Sequence, residues 1–334
     1  MKVLLTGGSG FIASHCIDVF LQRGHSVVFT VRSAAKGQTA LRNYSESSQS
    51  KLSYVIVEDI AEPTAFDEAV KSDPPFDVVV HTASPFRLNI SDPKELLSPA
   101  IIGTTGILKA IKKSAPSVRR VIVTSSFVAM LSPTKHPRRY DGATWNPISP
   151  EEAAQNPGNA YRASKTFAER AAWDFMEHEH PNFDLVTINP PVVFGPVAAC
   201  LNSLNDINTS NARIRNMLRG DFKNGLPGSL GVYLWADVRD VALAHVKAAE
   251  VQQAGDKRFL LAANEYMSNA DVAGIIVENF PELADKLPAK LESDLPADVY
   301  AFDNSESKEI LEIEYRTLKD SVVDTVKSLI RAGA

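Results

Sequence analysis

Short, almost unbroken apolar runs alternate with longer segments of helical composition along the first 190 residues. KVLLT (2–6), HSVVFTVRS (25–33), KLSYVIVEDI (51–60), FDVVVHTASPF (76–86), RRVIVTSS (119–126) and FDLVTINP (183–190) read as strands of a parallel sheet buried on both faces. Between them lie FIASHCIDVFLQRG, a short helix around 62–72, and a long helix over 92–116. Asp92 caps that long helix and Pro93 takes its first position. NAYRASKTFAERAAWDFME follows as a further helix ending near MEHEHP. Strand and helix in strict alternation predict an α/β fold with a doubly wound parallel sheet. Beyond residue 196 the alternation weakens. Residues 201–233 are polar, then Gly/Pro-rich, and predict an irregular substrate lid with a helix near 209–219. A helix over 235–251 and a strand KRFLLAA (257–263) return to the sheet, and 264–334 predicts a mostly helical cap. The expected division is a dinucleotide-binding domain at 1–195, rejoined by about 234–263, with 196–233 and 264–334 as a smaller substrate lobe.

The turn after the first strand is Gly7-Gly8-Ser9-Gly10-Phe11-Ile12-Ala13. Strand, glycine turn and helix in that order form the context of a Rossmann dinucleotide site. Gly7 permits the tight turn, Gly10 lets a pyrophosphate approach the backbone, and a small residue at 13 packs helix on strand. The second strand ends on Arg32, with Lys36 shortly after and no acid between them. A guanidinium there suits a ribose phosphate rather than free ribose hydroxyls, so the expected cofactor is NADPH rather than NADH. Asp59, next to Ile60 beyond strand three, is placed to accept from the adenine amino group. Thr82, Ala83 and Ser84 border the cofactor, and the Ser84-Pro85-Phe86 loop opens onto the ligand crevice at the carboxyl ends of the strands. The stiff turn from Pro190 through Val192 and Val193 to Pro196 suits the nicotinamide.

Ser126 tips the fifth strand, and Tyr161 and Lys165 stand four apart on a helix, hence on one face. A phenol, an ammonium and a hydroxyl brought together suit proton transfer to a carbonyl oxygen. The ammonium is expected to favour phenolate and lower the tyrosine pKa. With 8 tyrosines in the chain, chance alone supplies about half a Tyr-x-x-x-Lys. Its position after a Ser-tipped strand and a glycine turn is what gives it weight.

Other polar features read as structure. His81 is expected to be a satisfied strand-end histidine, and the basic run Lys135, His136, Arg138 and Arg139 a solvated loop. His178 and His180 stand two apart on a helix and do not face one another, which disfavours a metal pair.

Hydrophobic content of 44%, charged content of 22% and a net charge of -5 over 334 residues are those of a globular protein without a nucleic-acid surface. The two cysteines, Cys16 and Cys200, form no disulfide framework and fit a reducing compartment. The N-terminal apolar run VLL is too short for a signal core, and no stretch approaches the roughly 20 apolar residues of a membrane span. Cytoplasmic placement without membrane partners follows as the expectation, as monomer or homodimer.

The glycine turn, the Ser, Tyr-x-x-x-Lys order and NPxxVFGP together resemble the extended short-chain dehydrogenase/reductases. Within that superfamily the chain is similar to fungal NADPH-dependent methylglyoxal reductases and related aldehyde/ketone reductases, beside the plant dihydroflavonol and cinnamoyl-CoA reductases. GFIASH (10–15), VRS (31–33), HTASPF (81–86), VTSS (123–126), WNP (145–147), NAYRASKTFAE (159–169), VFGP (193–196) and DVRDVALAH (237–245) carry the likeness. It implies that Ser126 and Tyr161 bind a carbonyl oxygen, that Tyr161 gives the proton, and that Lys165 binds the nicotinamide ribose. It further implies Arg32 and Lys36 on the adenosine phosphate, Phe11 and Ile12 over the pyrophosphate, and Phe86, Phe127, Met130 and Val192 lining the substrate cavity. Asn159-Ala160-Tyr161-Arg162-Ala163-Ser164-Lys165 departs from the longer aromatic signature of the cinnamoyl-CoA reductases, which weakens a thioester reading. Two alternatives stay open here: an NAD-dependent sugar-nucleotide epimerase or dehydratase, and a non-catalytic NADP-sensing regulator.

Overall fold

Every strand of the main sheet runs parallel to its neighbours. The computed structural model describes residues 1–84, 92–133, 135–197, 204 and 207–334. Within them the strands are β1 (Lys2–Thr6), β2 (Ser26–Val31), β3 (Leu52–Ile56), β4 (Val78–His81), β5 (Arg120–Thr124), β6 (Arg139–Tyr140), β7 (Asp184–Asn189), β8 (Val192–Phe194), β9 (Trp235–Asp237), β10 (Lys257–Leu260) and β11 (Ala301–Phe302). Seven of them form one sheet in the order β10-β7-β5-β4-β1-β2-β3, and two small parallel pairs, β8-β9 and β6-β11, lie outside it. The helices are α1 (Phe11–Gln22), α2 (Ala34–Arg42), α3 (Glu46–Gln49), α4 (Lys94–Ser114), α5 (Pro150–Ala153), α6 (Pro157–Glu179), α7 (Thr209–Arg219), α8 (Val238–Glu250), α9 (Asn269–Asn279), α10 (Ser305–Glu309) and α11 (Leu318–Arg331). None of the described helices is long and apolar enough to cross a membrane.

The sheet is covered on both faces, which is why its strands lack a polar side. Val3 and Leu5 of β1 pack with Cys16, Ile17 and Phe20 of α1 and Val241 and Ala244 of α8. Leu4, pointing the other way, packs with Ile107, Leu108 and Ile111 of α4 and Ala172 and Phe175 of α6. Each such large side chain, fully buried, is worth about 1.5–3 kcal/mol. Burying both faces therefore anchors the carboxyl ends of the strands, where the loops carry chemistry. A third core joins Ile214 and Met217 of α7, Val272 and Ile276 of α9, and Val322, Val326 and Leu329 of α11 to Phe194 and Trp235. A fourth is aromatic, around Phe127, Tyr140 and Tyr300.

Four expectations change. Residues 61–70 form turns rather than a helix, with Ala65 and Asp67 donating to the carbonyls of Glu62 and Thr64. So short a stretch, broken by Pro63, does not offset the cost of helix nucleation. Trp235–Asp237 is a strand paired with β8 before α8 begins. Pro93 itself stands at the cap position of α4, and Asp92 accepts from the Lys94 N–H at 2.8 Å. β3 stops at Ile56, so Asp59 lies in the following turn, where its carboxylate accepts from the Ala61 N–H at 2.8 Å.

Candidate active site

β1 and β4 are neighbours in the sheet, but the chain leaves them in opposite directions, toward β2 on one side and β5 on the other. The loops at their carboxyl ends therefore diverge and leave a crevice. Gly7 stands at its floor with φ +73, and a Cβ there would come within 3.1 Å of the Ala83 backbone. Any side chain at 7 would close this approach. Thr6 ties the two loops together: its hydroxyl bonds His81 Nδ1 at 2.9 Å and accepts from the Ala83 N–H at 3.0 Å, while Thr82 donates to the Thr6 carbonyl at 2.5 Å.

α1 opens on this crevice at Gly10 without a side-chain cap and without an acid in its first turn. Its free N–H groups and the positive end of its dipole suit a pyrophosphate. Arg32 is exposed at the tip of β2, and Ser33 caps α2 by accepting from the N–H of Lys36. These features fit a dinucleotide carrying an adenosine phosphate. Gly7, Gly10, Phe11, Ile12, Arg32, Lys36, Thr82, Ala83, Ser84, Lys165 and Val192 all retain some exposed surface, whereas Pro190 and Val193 are buried and offer mainly their backbone. Asp59 is exposed and Ile60 half-buried.

Ser126, Tyr161 and Lys165 are positioned by β5, β7 and α6. Past β5 the chain is held to β7 by the Ser125 N–H donating to the Ile188 carbonyl at 2.8 Å, and Phe127 N–H donates to the Pro190 carbonyl at 2.9 Å. Ser126 sits in this bend and caps the short turn Phe127–Ala129, accepting from the Val128 N–H at 3.3 Å. Lys165 donates to the Thr124 carbonyl at 3.4 Å. Burial pushes the Tyr161 phenol up, opposed by the neighbouring Ser126 hydroxyl. This reverses the expected depression by Lys165. Desolvation dominates at the phenol, and the Lys165 amine is itself brought down by burial to about 8, against the attraction of Glu169. His81 is buried and held neutral at about 3, by desolvation first and by Lys165 second.

Phe127 and Met130 have no exposed surface and stand in the aromatic core behind Ser126. Val192 is half-buried, and Phe86 lies outside the described residues. The basic run is exposed, but only its first part is loop, since Arg139 opens β6; Arg139 reaches Asp141 and Asp303 at 3.7 Å, and His136 stacks on Tyr300 at 4.7 Å. The His178 ring bonds the Asp174 carbonyl of its own helix.

Sequence reasoning passed over Glu169. It is buried one turn beyond Lys165 and accepts from Ser125 at 2.5 Å, Thr187 at 2.9 Å, Asn189 at 2.7 Å and Arg258 at 2.6 Å. A glutamate four residues after the lysine is visible in NAYRASKTFAE, but its partners come from three neighbouring strands. His15 was also missed; it ties α1 to the turn after β8 through the Pro196 carbonyl at 3.0 Å.

A glycine cradle at the strand-order switch, an uncapped helix and a Ser/Tyr/Lys trio on adjoining strand ends have clear counterparts among known proteins. The chain is 47% identical over 331 residues to the ketoreductase azaE of Aspergillus niger, covering 98% of this chain and 97% of that one. It is 34% identical to the NADPH-dependent methylglyoxal reductase GRE2 of Saccharomyces cerevisiae over 99% of this chain and 98% of that one. The crystal structure of Gre2 from Candida albicans in complex with NADPH superposes with a TM-score of 0.93 at 35% identity, covering 100% of both chains. The pattern described as the NAD dependent epimerase/dehydratase family matches residues 3–262, and with these relatives it places the chain in that family.

Proposed function

We propose that the protein is an NADPH-dependent carbonyl reductase that takes an aldehyde or ketone to the alcohol. The observation that carries it is the placement of Ser126 just past β5 with Tyr161 and Lys165 one turn apart on α6, Lys165 donating to the Thr124 carbonyl at 3.4 Å, beside a crevice whose glycine floor and uncapped helix suit a dinucleotide. Gly7, Gly10 and the first turn of α1 would hold the pyrophosphate, Arg32 and Lys36 the adenosine phosphate, and Lys165 the nicotinamide ribose. The bound nicotinamide supplies the hydride that the carbonyl carbon gains. Ser126 and Tyr161 donate to the carbonyl oxygen and stabilise its developing charge, and Tyr161 then gives up its proton to that oxygen. A phenol raised by burial keeps that proton at neutral pH, which is the form a donor needs. Lys165, with a pKa near 8, remains largely ammonium there and offsets the phenolate left behind. The substrate class is that of the relatives: methylglyoxal-like dicarbonyls, aliphatic aldehydes and prochiral ketones. Cytoplasmic placement belongs to the same reading, supported by Cys16 as a buried free thiol.

Tyr161→Phe tests it. Measured by NADPH oxidation with methylglyoxal and isovaleraldehyde, kcat is expected to fall by about a thousandfold while NADPH binding persists. Near wild-type turnover in that variant refutes the reading.

A further inference from the structure

Helix α6 carries a carboxylate that the reductase reading leaves without a task. Glu169 is only 1% exposed, and its two oxygens take four donors: Thr187 and Arg258 on Oε1, Ser125 and Asn189 on Oε2. Those four fill the acceptor positions of a carboxylate. They come from three neighbouring strands: Ser125 follows β5, Thr187 and Asn189 belong to β7, and Arg258 to β10. Ser125 precedes Ser126, and Asn189 also donates to the Ser126 carbonyl at 3.2 Å. Arg258 is fastened from behind, donating to the carbonyls of Gly142 and Thr144 at 2.7 and 2.9 Å, with its guanidinium 3.5 Å over the Trp145 ring. On the other side, Glu169 and Lys165 line one small cavity with His81, Thr104 and Ser125.

We propose that Glu169 is a positioning residue for the reductive step: with Arg258 as its counter-ion, it holds the Ser125–Ser126 bend, Asn189 and the Lys165 amine in one arrangement. The inference rests on the reductase reading. Lys165 is faced by Tyr161 and Glu169 from its own helix and by His81 from β4; β5 and α4 offer it the neutral Thr124, Ser125 and Thr104. His81 is neutral, so Glu169 is the one of these neighbours that supports the ammonium. Losing that support lowers the pH at which the amine gives up its proton.

The test is the pH dependence of kcat in Glu169→Gln, with NADPH and methylglyoxal. Wild-type kcat is expected to fall as pH rises through about 8. In the variant this alkaline limb should move about one pH unit toward acid, with the Kd for NADPH unchanged within about twofold. Glu169→Asp keeps the charge one methylene further back, and its limb should lie between the two. A strut without influence on Lys165 would lower kcat and leave the limb in place, and that result overturns the proposal. Should Glu169→Gln fail to fold, Glu169→Asp decides alone: a limb displaced toward acid supports the proposal, and one at the wild-type pH overturns it. Activity surviving in Tyr161→Phe would instead strike the reductase reading, so the two failures are distinguishable.

Discussion

The two ends of the crevice are built on opposite principles. At the adenosine end, Arg32 is exposed, Lys36 is half-buried, and the uncapped turn of α1 supplies backbone N–H groups that need no particular side chain. At the catalytic end, Ser126 and Glu169 are buried, and the hydrogen bonds around them run between β5, β7, β10 and α6. Water and salt screen the first end, so under the proposed function its charges would select and steer the cofactor. The second end is shielded, so small displacements of a donor or a charge change reactivity there. Affinity is written at the surface and rate in the interior.

This contrast can be broken at either end. The largest effect after Tyr161→Phe is expected from Ser126→Ala, which removes a donor to the developing oxyanion. Its kcat should fall by about a hundredfold with NADPH affinity retained, and a loss confined to KM would assign Ser126 to ground-state binding. Arg32→Glu should raise the KM for NADPH by about thirtyfold, the worth of roughly 2 kcal/mol in a charge-assisted bond, and leave that for NADH nearly unchanged. Equal changes for both cofactors would remove Arg32 from phosphate recognition.

A separate effect concerns stability. His81 and His245 are buried and held neutral at about 3 and about 4, below their ordinary 6.5. Because the folded values are depressed, the unfolded chain takes up protons first. Stability from these groups is therefore complete above about pH 6.5 and is lost as pH falls toward the folded values. Urea midpoints measured from pH 7.5 down to 4 should decline accordingly, and His81→Asn should flatten the slope. An unchanged slope would mean that the ring titrates in the fold as it does in the unfolded chain.

The two ends also differ in how far they can be read from residues alone. Gly7, Gly10 and Arg32 are legible because their roles are local: a positive φ, a close approach and a charge at a strand tip are properties of a few consecutive residues. Ser126, Tyr161 and Lys165 are legible as an order along the chain. The substrate side is not. Phe127 and Met130 have the apolar character expected of a pocket wall, yet both face the core, because the bend after Ser126 directs them toward Tyr140 and Tyr300.

From sequence alone came the alternation of buried strands and amphipathic helices, the place of the dinucleotide cradle and the pairing of a phenol with an amine one helical turn away. Periodicity and turn chemistry act within a few residues, so they leave marks in short stretches. The tertiary structure alone decided that Tyr161 is raised rather than lowered, and that Glu169 is met by donors from β5, β7 and β10. Desolvation and buried ion pairing depend on which groups the fold brings into one volume, and residues 125, 189 and 258 become neighbours of 169 only after the sheet has closed around them.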